Sequence, residues 1–306
     1  MPAISYPIGV EHGIPYVITG PDGTRAVLND DTDPDYVGFL TPRDGGGVTG
    51  LERAGVREVS DLLPEADGGV HGVFLRDRLS FTLGGMIPPD APITANDGWQ
   101  GRQSRLLRAT DALAGNAVLT WTPTTAVPVR LAFRAQQPTR ITDARPKKFL
   151  VSGVAEESGI ESQSPQVLSI PATAPAGGGF SSPLTSLLTS TAGSSGTGTA
   201  TAIGAITAWP VITVAGPCAN PTIVNATLGL GLYLNYSLSA GETLVIDTNP
   251  RRRTVKLNGV TNRFNAVTWA LSAWWGLAPG ANVIQTGYSS YSNPAGVTLS
   301  WRDAWG

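Results

Sequence analysis

The sequence predicts a mostly β chain of two domains with a single helix. Three observations carry this. Gly (37) and Pro (24) make up roughly a fifth of the 306 residues, too much punctuation for a helical protein and suited to many short strands joined by turns. The apolar runs are short, rich in β-branched and aromatic residues, and bounded by Gly, Pro, Asn or Asp. The charge is sparse, 14% against roughly 25% in ordinary globular chains, and it is unevenly spread.

In the N-terminal half the expected strands are PYVI (15–18), RAVL (25–28), YVGFL (36–40), GVFL (72–75), RLSFTL (78–83), AVLTW (117–121), VRLAFRA (129–135) and KFLVSGV (148–154). One helix is expected near 99–114. Asn96 or Asp97 can cap it, and Leu106, Leu107, Thr110 and Leu113 fall near the 3.6 period.

The composition then changes. Residues 1–161 hold 20 acidic and 15 basic groups; residues 162–306 hold 3 and 6. From Ser162 to Gly241, 80 residues carry no charge at all. Such a shift marks a domain boundary. The expected division is 1–161, then 162–205 as a flexible Ser/Thr/Gly/Ala/Pro-rich connector with VLSIP (167–171) as one short strand inside it, then 206–306. The last segment reads as a compact antiparallel β-sandwich. It holds six of the eight tryptophans, and Asn258-Gly259 between VKL and VTN is a two-residue hairpin turn.

Most enzyme chemistry is missing. No nucleophile elbow, Walker A, dinucleotide fingerprint, zincin or Cys-x-x-Cys motif occurs. One cysteine, Cys218, excludes an intrachain disulfide, and two histidines, His12 and His71, leave little for a metal centre. Asp30, Asp31, Asp33 and Asp35 have a spacing that can hold calcium. Pro34 interrupts it, however, and Tyr36 and Pro42 stand where a calcium loop needs Gly and Glu, so a solvated acidic loop is the better reading. His71, with Asp61, Glu65 and Asp67 nearby in sequence, has no indicated nucleophile and reads as a turn residue. A net charge of −2 does not suggest nucleic-acid binding. The start lacks a secretory signal pattern and no run of about 18 apolar residues exists, so a soluble chain made in a cytoplasm is expected. The glycosylation patterns at Asn225 and Asn235 then mean little. Trp274 and Trp275, with Arg251 and Arg252, are the candidate contacts for a glycan or a protein partner. Tryptophans also serve in cores and subunit contacts, their commoner role.

The segment GVREVSDLLPEADGGVHGVFLRDRLSFTLGG (55–85) resembles the opening of the distal tail proteins of long, non-contractile-tailed phages. The matches are Val56-Arg57-Glu58, Asp67-Gly68 with His71-Gly72, and Arg78 through Gly84. RLLRATDAL, AVLTW, PVRLAFRA and RPKKFLVSGVAEE follow in the family's order. The C-terminal part resembles that family's galectin-like domain. Pro210-Val211-Ile212 with Gly216, GETLVIDTNPRRRTVKLNG (241–259), and Trp274 or Trp275 with Leu277, Pro279-Gly280 and Asn282 carry it, and SWRDAW (300–305) looks like the actinobacteriophage ending.

The resemblance implies an N-terminal β-barrel or sandwich-like ring domain with one helix, and a C-terminal galectin-like antiparallel β-sandwich. It implies a non-enzymatic virion protein, without cofactor or metal, at the distal end of the tail. There it forms a hexameric ring that joins the tail tube to the tip or baseplate, with the N-terminal strands and the helix supplying the two ring patches. The implied partners are other copies of itself, the tube protein, the tape-measure protein, the tail-associated tip protein and, in some phages, a receptor-binding protein. DNA would pass through its lumen without sequence-specific contact, and no membrane is entered. The C-terminal part has no histidine and lacks the galectin sugar motifs, so the resemblance carries over no sugar site. The alternative role is a tail-tip adhesin that holds host cell-wall glycan.

Overall fold

The computed structural model describes residues 13–41, 47–51, 56–62, 69–88, 98–123, 127–143, 146–155, 157, 159–172 and 194–306. The chain divides into two compact units, one of residues 1–164 with 305–306 and the other of residues 165–304. The first boundary lies close to the change in charge content.

Unit 1 contains strands β1 (Tyr16–Thr19), β2 (Arg25–Leu28), β3 (Tyr36–Leu40), β4 (Gly47–Thr49), β5 (Val56–Leu62), β6 (Gly69–Arg76) and β7 (Ser80–Ile87), helix α1 (Trp99–Ala109), and strands β8 (Ala117–Trp121), β9 (Val129–Ala135), β10 (Arg140–Ile141), β11 (Lys147–Ala155) and β12 (Ile160–Ser162). Seven strands close a barrel in the order β11-β7-β3-β2-β1-β8-β9, because β9 pairs back onto β11 through Ala135↔Gly153. All joints are antiparallel except β2–β3. Alternation sets the interior: β8 buries Ala117, Leu119 and Trp121, and β9 buries Val129, Leu131, Phe133 and Ala135. Trp305, from the end of the chain, is buried in the same core.

The closure depends on a missing side chain. A Cβ at position 153 would lie 2.6 Å from both the Phe133 and Phe81 rings. Those rings fill the barrel in an edge-to-face pair, centroids 4.9 Å apart.

Helix α1 buries Arg102, Leu106 and Ala109. Its buried stripe is therefore i, i+4, i+7 from Arg102. The expected face was partly wrong: Leu106 and Thr110 are buried, whereas Leu107 is exposed and Leu113, past the helix end, is 93% exposed. Arginine covers core surface with its aliphatic stem, so an apolar count missed Arg102, whose guanidinium sits 5.5 Å over the Tyr36 ring. The helix starts after Gly98 without a side-chain cap, and Asn96 and Asp97 lie outside the described residues.

Unit 2 contains β13 (Gln166–Pro171), β14 (Ser194–Ala202), β15 (Val211–Ala215), β16 (Cys218–Ala219), β17 (Thr222–Asn225), β18 (Leu230–Tyr233), β19 (Ser237–Leu238), β20 (Thr243–Asp247), β21 (Thr254–Leu257), β22 (Thr261–Asn262), β23 (Gly280–Tyr288), β24 (Ser290–Tyr291) and β25 (Gly296–Trp301). A six-stranded sheet, β13-β25-β15-β20-β21-β22, and a four-stranded sheet, β14-β23-β17-β18, share one core. Ile212, Leu244, Ile246 and Leu299 enter it from the first, and Ile223, Leu232 and Ile284 from the second. The expected turn forms at Asn258-Gly259, with φ of 51° and 71° and a Val260 N–H to Leu257 carbonyl bond of 3.1 Å.

The 162–205 stretch is not simply a connector. β13 and β14 both come from it, and β14 pairs over nine residues with β23. The strand read at 167–171 is part of β13, while residues 173–193 lie outside the described residues. Composition hid a period of two. Gly196, Gly198, Ala200 and Ala202 alternate with the outward Thr197, Thr199 and Thr201. The glycines are there for space: a Cβ on Gly196 would meet Ile170 Cγ2 at 2.5 Å, so the two strands approach closely.

Two buried asparagines secure the turns beside this sheet. Asn225 Nδ2 donates to Asn282 Oδ1 (3.2 Å) and to the Gly276 carbonyl (3.3 Å). Asn282 accepts from the Ala278 N–H (3.0 Å) and donates to the Ala278 carbonyl (2.8 Å). Asn225 is fully buried, so its glycosylation pattern is unreachable in the folded chain.

Replacing Gly153 with leucine should destabilise unit 1 by about 1–3 kcal/mol through overpacking against Phe81 and Phe133. Thermal unfolding of Gly153→Leu against wild type measures this, and an unchanged midpoint would refute the close fit.

Candidate functional site

Asp33 and Asp35 pair with Arg25 (3.3 and 2.9 Å), and Arg105 of α1 reaches Asp35 at 3.1 Å and the Pro34 carbonyl at 2.9 Å. Asp30 accepts from the Thr32 N–H (3.1 Å) and hydroxyl (2.6 Å). The acidic loop is thus an arginine-paired tie between the β2–β3 connection and the helix. Among the described residues no group of three His, Cys, Asp or Glu could hold a metal ion. His71 lies in strand β6 rather than a turn; its side chain, and all of His12, Glu65 and Asp67, lie outside the described residues. No helix of the described residues is long and apolar enough to cross a membrane.

Among the described residues five groups have displaced titrations: the Asp22 and Asp30 carboxyls are lowered, and Tyr36, Cys218 and Tyr288 are raised. The Asp22 carboxyl is held at about 2, below its ordinary 3.8, by the Thr24 N–H and hydroxyl and then by Arg108, 2.9 Å away. Burial pushes the Cys218 thiol up to about 11.

What remains are surfaces. In unit 1, β5 and β6 form a two-stranded ribbon that pairs with no other strand among the described residues. Unpaired strand edges are templates for pairing with another chain. The exposed side of α1 carries Trp99 and Leu107, and the Lys147 Nζ lies 4.0 Å over the Trp99 ring.

In unit 2 the β20–β21 tip is built by its own side chains. Asp247 accepts from the Asn249 N–H (3.0 Å) and Arg252 Nε (2.9 Å), and Asn249 Oδ1 accepts from the Arg251 N–H (3.1 Å). This holds Arg251, Arg252 and Arg253 outward, all exposed. Trp274 is half-buried, and Arg253 lies 5.3 Å over its ring. Trp275 is 1% exposed and belongs to the core, so it cannot be a contact residue. Adjacent residues on an extended segment face opposite ways, so only one of the pair can reach solvent. The sequence reading missed Phe264 and Trp269, which join Trp274 in one aromatic cluster with centroids 4.9–6.0 Å apart. Only the fold brings these separated residues together. Elsewhere, the four-stranded sheet carries a shallow groove of about 290 Å³, lined by Thr197, Thr222, Val224, Gln285, Thr286 and Gly287, none of them charged.

Residues 203–305 match the family of siphovirus-type tail components, in its C-terminal domain. The chain is similar in structure to a crystal structure of the Dit protein of phage SPP1, described as a paradigm of the hub adsorption apparatus in phages that infect Gram-positive hosts. The TM-score is 0.54 and the identity 10%, over 94% of this chain and 98% of that one. A structure of the phage P2 baseplate in its activated conformation with calcium is also similar, with TM-score 0.44 and 11% identity over 94% and 97% of the two chains. No curated protein matches by sequence. The resemblance to distal tail proteins therefore holds: it rests on the family match in residues 203–305 and on a Dit-like fold over both units.

Cys218 should be nearly inert in the folded chain. A shift from 9.0 to about 11 lowers the thiolate fraction about 100-fold. Reaction with a thiol reagent at pH 8 should be slow until denaturant is added, and fast native labelling would contradict the burial. The depressed Asp22 titration stabilises the fold fully above pH 3.8, and that contribution disappears as pH falls through about 2. Asp22→Asn should therefore melt below wild type at pH 6, with the gap closing near pH 2; a gap independent of pH would refute this.

Proposed function

We propose that this chain is a structural protein of the phage tail, a distal adaptor whose copies close a six-membered ring between the tail tube and the tail tip or baseplate. The observation that carries the reading is the match of residues 203–305 to siphovirus-type tail components. The Dit-like fold across both units supports it.

The physical features agree. A closed rotational ring needs two different patches on each subunit. Unit 1 offers two of different chemistry: the edges of the β5–β6 ribbon, unpaired among the described residues, and the exposed side of α1 with Trp99 and Leu107. Backbone edges and large exposed side chains both gain from association.

In this reading the ring meets the tube protein and the tape-measure end on one side and the tail-associated tip protein on the other. Its lumen leaves a path for DNA, and the protein resides in the virion at the distal end of the tail. Unit 2, the galectin-like domain of this reading, is free to take a receptor-binding protein or host glycan. Adhesion and ring duty are compatible because they use different units.

A gold-tagged antibody to this chain, applied to intact particles and viewed by electron microscopy, tests the reading. Label should appear at the far end of the tail, at the tube–tip junction. Label on the capsid, along peripheral fibres, or absent from particles would overturn it.

A further inference from the structure

Unit 2 brings three aromatic side chains together with Arg253 at its surface. The Phe264 and Trp269 rings are 4.9 Å apart, and each contacts Trp274, at 6.0 and 5.8 Å. Phe264 and Trp269 remain 37% and 42% exposed. Arg253 caps the Trp274 face at 5.3 Å. Five of the six cations in residues 165–304 fall between Arg251 and Arg263: Arg251, Arg252, Arg253, Lys256 and Arg263. Among the described residues, one ion pair touches this group, Arg252 with Asp247.

Rings that keep open faces in water, beside guanidinium groups left without an acid, fit a ligand with two properties at once. It must present flat C–H surface to the rings and negative charge to the arginines. We infer that this surface binds an anionic glycan, a sugar chain that carries carboxylate or phosphate groups. Sugar rings stack on Trp269 and Phe264, and Arg251 and Arg253 pair with the anions.

Two other ligand classes share part of this chemistry. Single-stranded nucleic acid stacks bases on aromatic rings. Here the three rings pack against one another within 6.0 Å as one compact patch, rather than along a groove that would track successive nucleotides. An acidic protein would bury about 800 Å² on each side in a standard interface. Three partly covered rings suit the short, repeated contacts of a sugar polymer better. The inference does not depend on ring formation, since a monomer would bind equally well.

The test is fluorescence titration of the full chain with four probes: oligogalacturonate, phosphorylated dextran, neutral dextran and oligo-dT. Poly-glutamate serves as the acidic-protein probe. Saturable binding of one or both anionic glycans is expected, at least tenfold tighter than neutral dextran and weakened by salt. Carboxylate and phosphate ligands are separated by which of the first two probes wins. Trp269→Ala and Arg253→Gln should each weaken binding at least tenfold, and Trp269→Phe should retain most of it. Trp269 lies outside the core, so the variants should melt as wild type does; wild-type binding tests the inference regardless. Failure of both anionic glycans to bind at millimolar concentration would overturn it. So would tighter binding of oligo-dT or poly-glutamate, or glycan binding unaffected by Trp269→Ala in a folded variant.

Discussion

Unit 1 depends on a single closure. Seven strands can enclose one core only if the last meets the first, and here β9 meets β11 at Ala135 and Gly153. The interior at that point is filled by Phe81 and Phe133. A side chain on residue 153 would compete with both rings for the same volume. The closed barrel in turn fixes the β2–β3 connection, on which α1 is tied through Arg105 and Asp35. Closure also consumes the barrel's own edges, whereas the β5–β6 ribbon pairs with no other strand among the described residues.

Unit 2 meets the same difficulty with different means. It is poor in charge, so its precision comes from close approach and buried hydrogen bonds. Gly196 lets β14 lie against Ile170, and the Asn225–Asn282 pair satisfies turn backbone that would otherwise be buried unpaired. Four of its nine charged residues gather at the β20–β21 tip, where Asp247 and Asn249 hold the arginines outward and Arg253 meets the aromatic cluster.

Stability sits in strand ladders and packed cores, which leaves the helix face, the ribbon and the arginine tip available for contacts. The fold is shared with the SPP1 Dit protein at 10% identity. Strand pairing tolerates such divergence because it needs alternation and turns more than particular side chains.

Much of the architecture was legible in residue order. RAVL, YVGFL, AVLTW and VRLAFRA form strands with the bounds expected of them, and Asn258-Gly259 turns as its type requires. Local patterns suffice there because alternation and turn geometry act over a few residues. Other features were decided by contacts between distant residues. GTGTATA reads as coil by composition, yet becomes a strand because β23 pairs with it and Ile170 fills the space its glycines leave. Arg102 reads as surface but lies buried against Tyr36, while Leu113 reads as core but is in water. Of the adjacent Trp274 and Trp275, one is core and one is surface, and Phe264 and Trp269 join the surface one only through the fold. By itself the sequence determined the class of structure, the main strands and the family likeness. Which side chains face water, and which of them meet, was decided by tertiary packing, because burial depends on neighbours that lie far apart along the chain.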